Sequence, residues 1–213
     1  MVDLPLLIVA LTASAYWVGV GAMINRVRRH RHRDAGLVPE QPRERAMWVL
    51  WLPVVAAWVA LPWLALHRVD GLLGLPAFAR DNGFLVMRWV AALCAVACWL
   101  ATLNCYRRMG DDWRMDVSAE KTPLITDGPF QRIRHPIYAF SILLMLCTAV
   151  VLPTPPMLAV ALVHVLLMHV KARNEEAHLA ALHGEAYARY AARTGRFMPR
   201  LTAREAGLTA REP

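Results

Sequence analysis

The sequence has only four cysteines, and they form neither a disulfide framework nor a metal-binding pattern. Cys94, Cys98, Cys105 and Cys147 all lie in or beside apolar segments. Cysteines that stabilise small secreted domains, or that bind zinc, recur at short spacings in polar segments. Unpaired cysteine is commonly buried as a small apolar residue. We therefore interpret all four as packing residues and predict no metal site.

Acidic residues are also scarce, at 16 against 24 lysines and arginines, which leaves a formal net charge of +8. At the same time 57% of the residues are hydrophobic and the mean hydropathy is +0.34. A soluble domain of this size does not carry its apolar residues in long unbroken runs. The composition therefore favours a membrane protein.

No basic segment precedes the first apolar run, and a run of arginines follows it, which argues against a cleaved signal peptide.

Crossing the bilayer core takes roughly 20 mostly apolar residues. Two prolines inside the second run are compatible with a kinked membrane helix, and Arg88, near one end of the third run, is expected to reach the interface. Three prolines and a threonine at 153–156 cannot continue a helix, so they predict a tight helical hairpin between the last two runs. The sequence thus predicts an all-α polytopic membrane protein with about five transmembrane helices, at residues 4–24, 46–66, 84–106, 137–152 and 157–170.

The basic residues are concentrated in alternate connecting segments. Segment 26–45 holds seven arginines, 106–136 holds six lysines or arginines, and the chain from Lys171 onward holds eight. The intervening segment 69–82 has one, and 153–156 has none. Cytoplasmic loops carry such an excess, so we predict an inner or cell membrane protein with its N-terminus outside and its C-terminus cytoplasmic. The charge belongs to this topology and to anionic membrane lipids, and we predict no nucleic-acid partner.

Two polar segments on the predicted cytoplasmic side carry the candidate functional residues. The stretch 122–130 is rich in turn formers and leads through Arg134 and His135 into Pro136, a favoured residue in the first turn of a helix. Contacts with lipid headgroups would explain the same residues. Beyond the last span, Arg173 and Glu176 are three residues apart and share a helix face. Glu175 points about 100° away from Glu176, and a solvated helix face would explain the pair equally well.

An aromatic and basic series follows Gly184, containing Tyr187, Tyr190, Arg196 and Phe197. Tyrosines three residues apart pack well along a helix. They could equally form an aromatic cover over a site at the membrane surface.

Taken together, these segments resemble the isoprenylcysteine carboxyl methyltransferase family. The resemblance rests on the order of four motifs between about residues 104 and 200, and residues 1–100 add only membrane helices. The motifs are Thr126-x-Gly128-Pro129-Phe130, Arg134-His135-Pro136-Ile137-Tyr138, Arg173-x-Glu175-Glu176, and Gly184-x-x-Tyr187-x-x-Tyr190 followed by Arg196-Phe197-x-Pro199.

The resemblance implies a membrane helical bundle with S-adenosylmethionine bound beneath a cytoplasmic C-terminal helical cap. Residues 1–106 would then be N-terminal transmembrane helices, 107–200 the catalytic region, and 201–213 a basic tail. The implied catalytic pair, bordering the methyl acceptor, is Arg173 and Glu176. The implied cofactor-binding residues are Leu124, Thr126, Gly128, Pro129, Arg134, His135, Tyr138, Glu175, Tyr187, Tyr190 and Phe197.

The methyl acceptor is not determined by these residues. A carboxylate acceptor, such as the isoprenylcysteine the family name suggests, needs only an orienting cation, for which Arg173 is the candidate. A phospholipid amine or a small thiol would need a base, and Glu175, Glu176 and His135 remain open for that role. The expected partners are a lipophilic or lipid-like substrate and membrane lipids, and the oligomeric state is left open. An NADPH-dependent membrane sterol or enone reductase is the alternative enzyme class, although such enzymes tend to have Asn at the position of Ile137. S-adenosylhomocysteine would be the product of the favoured reaction.

Overall fold

A computed structural model describes residues 2–31, 42–67, 71–115 and 124–200. Within these ranges the regular structure is helical, and one isolated bridge, between Ile133 and Gly195, is the sole β-type pairing. The predicted turn residues Thr122 and Pro123, basic residues 32–33 and the tail 201–213 lie outside the described residues. The all-α prediction is confirmed.

Six α-helices make up the described part of the chain, joined by short 3-10 turns. Four of them are long and apolar enough to cross a membrane, and α4, with 16 residues, is shorter. The five-span topology therefore remains a prediction. The helices are α1 (Leu4–Arg31), α2 (Pro42–Leu66), α3 (Asn82–Met109), α4 (Pro136–Val151), α5 (Pro155–His183) and α6 (Glu185–Arg193).

The predicted hairpin between the last two apolar runs is present. Helix α4 ends at Val151, and α5 begins with Pro155 in its first turn. The Thr154 side chain accepts a hydrogen bond from the backbone N–H of Met157, at 3.4 Å, and so caps α5. The helix then continues to His183, well beyond the predicted apolar run, and ends at Gly184, whose φ of 50° few other residues adopt. The polar motif at 171–176 therefore lies on the same rigid helix as the span.

Small residues on α3 allow α4 to pack closely against it. Ala91, Ala92, Ala95 and Cys98 are buried along one face of α3. Small side chains at such positions let membrane helices approach each other closely. The interior of α1 and α2 is instead aromatic: Trp17 packs edge-on against both Trp51 and Trp58.

Arg88 was expected to extend to the membrane interface, but its side chain is instead buried and paired inside the protein. Its side chain is 1% exposed, and its Nη2 donates to both carboxylate oxygens of Asp3 at 2.7 and 2.8 Å. Its Nε donates to the carbonyl oxygen of Val151 at 2.9 Å, and its Nη1 to that of Ala79 at 3.3 Å. A guanidinium removed from water is stable only when paired in this way. Arg88 thus joins α1, α3 and the end of α4.

Replacing Arg88 with methionine is expected to destabilise the bundle by about 3 kcal/mol, because Asp3 then loses its buried partner. Thermal unfolding in detergent, followed by intrinsic fluorescence, should show a lower Tm. Arg80→Met is the matched control, since Arg80 is exposed at the same end of the bundle. Equal Tm values for the two variants would contradict this account.

Candidate active site

The loop before α4 and the segment after α6 are held together by backbone hydrogen bonds. The N–H groups of Arg134 and His135 donate to the carbonyl oxygens of Gly195 and Arg196, at 2.8 and 3.1 Å. The Gly195 N–H donates back to Arg132 at 3.1 Å. A Cβ at position 195 would lie 1.7 Å from the Met198 carbonyl oxygen, so this close approach requires glycine. We call residues 124–135 and 185–197 together the cap.

Gly128 allows the cap loop to lie against the end of α3. Its φ is 57°, and a Cβ there would be 2.4 Å from Nε of Arg108. The Arg108 guanidinium binds the Asp127 carboxylate at 2.5 Å. The motif glycine therefore permits an ion pair between α3 and the cap.

Glu176 is bound by cations from both parts of the cap. Its carboxylate accepts from Nε of Arg134 at 3.0 Å, and from Nε and Nη2 of Arg196 at 3.0 and 2.5 Å. Arg134 also donates to the carbonyl oxygens of Ala191 and Thr194. Charge-assisted bonds of this kind are among the strongest in proteins. Glu176 thus anchors the cap to α5.

Glu175, the adjacent carboxylate, faces a different set of groups. Tyr138 donates its hydroxyl hydrogen to Glu175, Nδ1 of His135 lies 3.3 Å from it, and Nζ of Lys171 lies 3.7 Å away. The rings of His135 and Tyr138 are stacked, with centroids 5.4 Å apart. This cluster joins the start of α4 to α5.

The His135 imidazole lies between the two glutamates, and Nε2 is 3.5 Å from Glu176. Burial lowers the pKa of His135, but the contacts with Glu175 and Glu176 outweigh it, so the net shift is upward from the usual 6.5. The protonated imidazolium is therefore favoured in the folded protein.

A cavity of about 240 Å³ lies between the cap and the helices. Its polar wall includes Arg134, His135, Glu175 and residues of α6, and its aromatic wall comes from α1, α2 and α3. The aromatic and apolar lining residues from these three helices and the segment after α3 are Tyr16, Trp17, Val20, Trp51, Tyr106, Met109, Trp113 and Met115.

Two tyrosines of α6 close the cavity on the cap side. Tyr190 donates its hydroxyl hydrogen to the carbonyl oxygen of Phe130 at 2.8 Å. The Tyr187 hydroxyl is buried and has no hydrogen-bond partner among the described residues. Burial raises the pKa of each phenol to about 12. A buried hydroxyl without a partner is costly, so Tyr187 is suited to binding a polar group of a ligand.

Seven of the eleven cofactor-binding residues implied by the resemblance line this cavity. The other four, and the implied catalytic pair Arg173 and Glu176, do not. Those that line it are Leu124, Arg134, His135, Tyr138, Glu175, Tyr187 and Tyr190. Thr126 is exposed, Gly128 and Pro129 shape the loop, and Phe197 packs edge-on against His169 outside the lining. Arg173 is exposed, and Glu176 is bound by Arg134 and Arg196 rather than by Arg173.

Sequence reasoning missed the residues that α1 and α2 contribute to the cavity, and those of α5 other than Glu175. Tryptophan and tyrosine in membrane helices usually mark the interface, so Tyr16, Trp17 and Trp51 carried no signal of a cavity. Ser141 also lines it, and its hydroxyl is 3.0 Å from Nε2 of the fully buried His164. Lys171 is a lining residue too, and its four-residue spacing from Glu175 was an available signal.

The raised pKa of His135 predicts a stability that depends on pH. Because the folded state favours the protonated form, this contribution is fully present below pH 6.5 and is lost as the pH rises through the raised pKa. From about pH 6 to about pH 9, the wild-type Tm should fall more than that of His135→Gln. The control is His67→Gln, at the exposed far end of α2. Parallel Tm profiles for wild type and His135→Gln would refute the prediction.

Part of the chain is similar to known proteins. Residues 86–186 match the phospholipid methyltransferase family. No curated protein matches. A solved structure of the eukaryotic intramembrane Ras methyltransferase ICMT (isoprenylcysteine carboxyl methyltransferase) is similar, with a TM-score of 0.47 and 18% identity. The alignment covers 83% of this chain and 60% of that one.

The family match includes α3, the described cap loop, α4, α5 and the beginning of α6, and therefore most of the cavity's polar wall. The apolar helices agree with an integral membrane protein. The resemblance found in the sequence is supported at this level: residues 86–186 match the model of the phospholipid methyltransferase family.

Proposed function

We propose that the protein transfers a methyl group from S-adenosylmethionine to a lipophilic or amphiphilic acceptor at the membrane surface. The main support for this proposal is the cavity, which has a polar wall formed largely by the cap and an aromatic wall formed by the apolar helices. Such a cavity suits two ligands of different polarity that meet at its middle.

The polar wall fits this cofactor. Glu175 presents a carboxylate suited to a cationic ligand group, and it is oriented by Tyr138 and His135. Tyr187 offers a hydroxyl without a partner among the described residues, and Tyr190 adds an aromatic face. When bound, S-adenosylmethionine supplies a methyl group made electrophilic by a sulfonium cation. We assign seven cavity-lining residues to its binding: Leu124, Arg134, His135, Tyr138, Glu175, Tyr187 and Tyr190.

The chemistry asks mainly for positioning and for exclusion of water. Charge on donor and acceptor is neutralised as the methyl group moves to an anionic acceptor, so a poorly hydrated site favours the reaction. The apolar lining provides such surroundings. We propose that Glu176 acts indirectly, as a positioning residue that holds Arg134 and His135 in the polar wall.

The ion pairs favour an acceptor that needs no deprotonation. Glu176 is neutralised by two arginines, and His135 is biased towards its protonated form, so neither is a ready general base. A carboxylate acceptor of the isoprenylcysteine type is ionised at neutral pH and needs no base. The family match supports a phospholipid amine as the second candidate.

We propose that an apolar tail approaches the cavity between α2 and α5. A smaller cavity of about 30 Å³ between α2 and α5 shares four lining residues with the large one: Trp51, Met115, Met168 and Lys171. Its other residues, Met47, Trp48 and Leu167, are apolar or aromatic. This continuity supports an acceptor that arrives from the membrane.

The cap is proposed to face the cytoplasm, with the N-terminus on the opposite side. The basic residues of the cap and of the segment after α3 support this orientation through the positive-inside rule. A fluorescent protein fused at the C-terminus should fluoresce in cells, and an alkaline phosphatase fusion there should be inactive. The opposite pattern would overturn the orientation while leaving the chemistry open.

Titration of the purified protein with S-adenosylhomocysteine in a calorimeter tests the proposed cofactor. We expect binding, weakened roughly tenfold or more by Glu175→Gln, since a charged hydrogen-bond partner is lost. Glu185→Gln, at the exposed start of α6, should bind like wild type.

Absence of binding by folded wild-type protein would refute the cofactor assignment. Binding of labelled NADPH in its place would favour the reductase alternative. Thermal unfolding of each variant keeps a folding defect distinguishable from a binding defect.

A further inference from the structure

The sequence motif points to Arg173 as the cation that orients the acceptor, but the structure places Arg173 on the exposed side of α5. Residues two apart on a helix point about 200° away from each other. Lys171 consequently lies on the cavity side, one turn before Glu175. The side chain of Lys171 is 15% exposed.

The basic side chains that line the large cavity differ in their contacts and in their positions. Arg134 donates to Glu176 and to two backbone carbonyl oxygens, which fixes it as part of the cap. Arg114 and His178 line the large cavity but not the smaller one. Among the described residues, Lys171 is the cationic side chain that lines both.

We propose that Lys171 binds the anionic group of the acceptor while the apolar tail extends from the large cavity towards the apolar side chains between α2 and α5. This inference rests on the proposed function and names the specificity residue of the same site. The recognised chemistry is an anion attached to a long apolar tail: a carboxylate on a prenyl chain, or the phosphate of a phospholipid.

The geometry explains why a lysine suits this position. Its ammonium is a compact charge with three N–H donors on a flexible stem. It lies 3.7 Å from Glu175, which is longer than a strong charge-assisted hydrogen bond. Because Lys171 lines both cavities, its ammonium is placed to attract an anion at their junction while it stays beside Glu175. The acceptor's reactive end is then held next to the polar wall.

Two pairs of probes test the proposal. The full-length protein is placed in nanodiscs, and S-adenosylhomocysteine is present at a saturating concentration. The first pair is an N-acetyl-S-farnesylcysteine and its methyl ester, and the second is a lysophosphatidic acid and a monoacylglycerol of the same chain length. Each pair differs in whether an anion is present. Equilibrium binding is measured for wild type, Lys171→Met, Lys171→Arg and Arg173→Met.

Wild type should bind at least one anionic probe better than its uncharged counterpart, and the pair that shows this preference identifies the source of the anion. Lys171→Met should weaken that binding by roughly ten- to a hundred-fold and leave the uncharged probe within about twofold. Lys171→Arg should restore part of the loss. Arg173→Met, two residues away on the same helix, should match wild type.

Three results would overturn the proposal: no preference for either anionic probe in wild type, a loss caused by Arg173→Met instead, or equal losses for charged and uncharged probes. Thermal unfolding confirms that each variant is folded. A failure of the proposed function appears separately, as absence of S-adenosylhomocysteine binding. A failure of this inference alone leaves that binding intact.

Discussion

The site depends on the neutralisation of two adjacent carboxylates, Glu175 and Glu176. Glu175 and Glu176 are half-buried on α5, and their partners come from the cap loop, from the segment after α6 and from α5 itself. Charges removed from water require such partners. The cap is therefore held in place by the same electrostatic requirement that shapes the polar wall of the cavity.

The opposite end of the bundle meets the same requirement with one arginine. Arg88 is buried and satisfied by Asp3 and by two backbone carbonyl oxygens from different elements. Between the two ends, the packing is largely apolar and aromatic, with a few hydrogen bonds such as that between Ser141 and His164. Because those contacts are not directional, the ion pairs at each end are well suited to fixing how the helices are arranged relative to one another.

Local rules were enough to predict the helices, the proline hairpin and the polar segments that meet in the cap. Proline and glycine act within one turn of the chain, and apolar runs show directly where helices lie. The same rules could not predict the partner of a charge. Arg88 was expected at the interface because it lies near the end of an apolar run. Its actual partner, Asp3, is 85 residues away in the sequence, so no local pattern could indicate the pair. Arg173 was paired with Glu176 because they share a helix face, whereas Arg134 and Arg196 reach Glu176 through the tertiary fold.

The consecutive positions of the two glutamates explain how one short motif can serve two purposes. Neighbouring residues on a helix point about 100° apart, so Glu175 faces the cavity while Glu176 faces the cap. His135 lies between them and contacts both carboxylates. A change in the cap that moves His135 would therefore alter the surroundings of Glu175 as well. The motif couples the position of the cap to the electrostatics of the site, because one imidazole contacts both carboxylates.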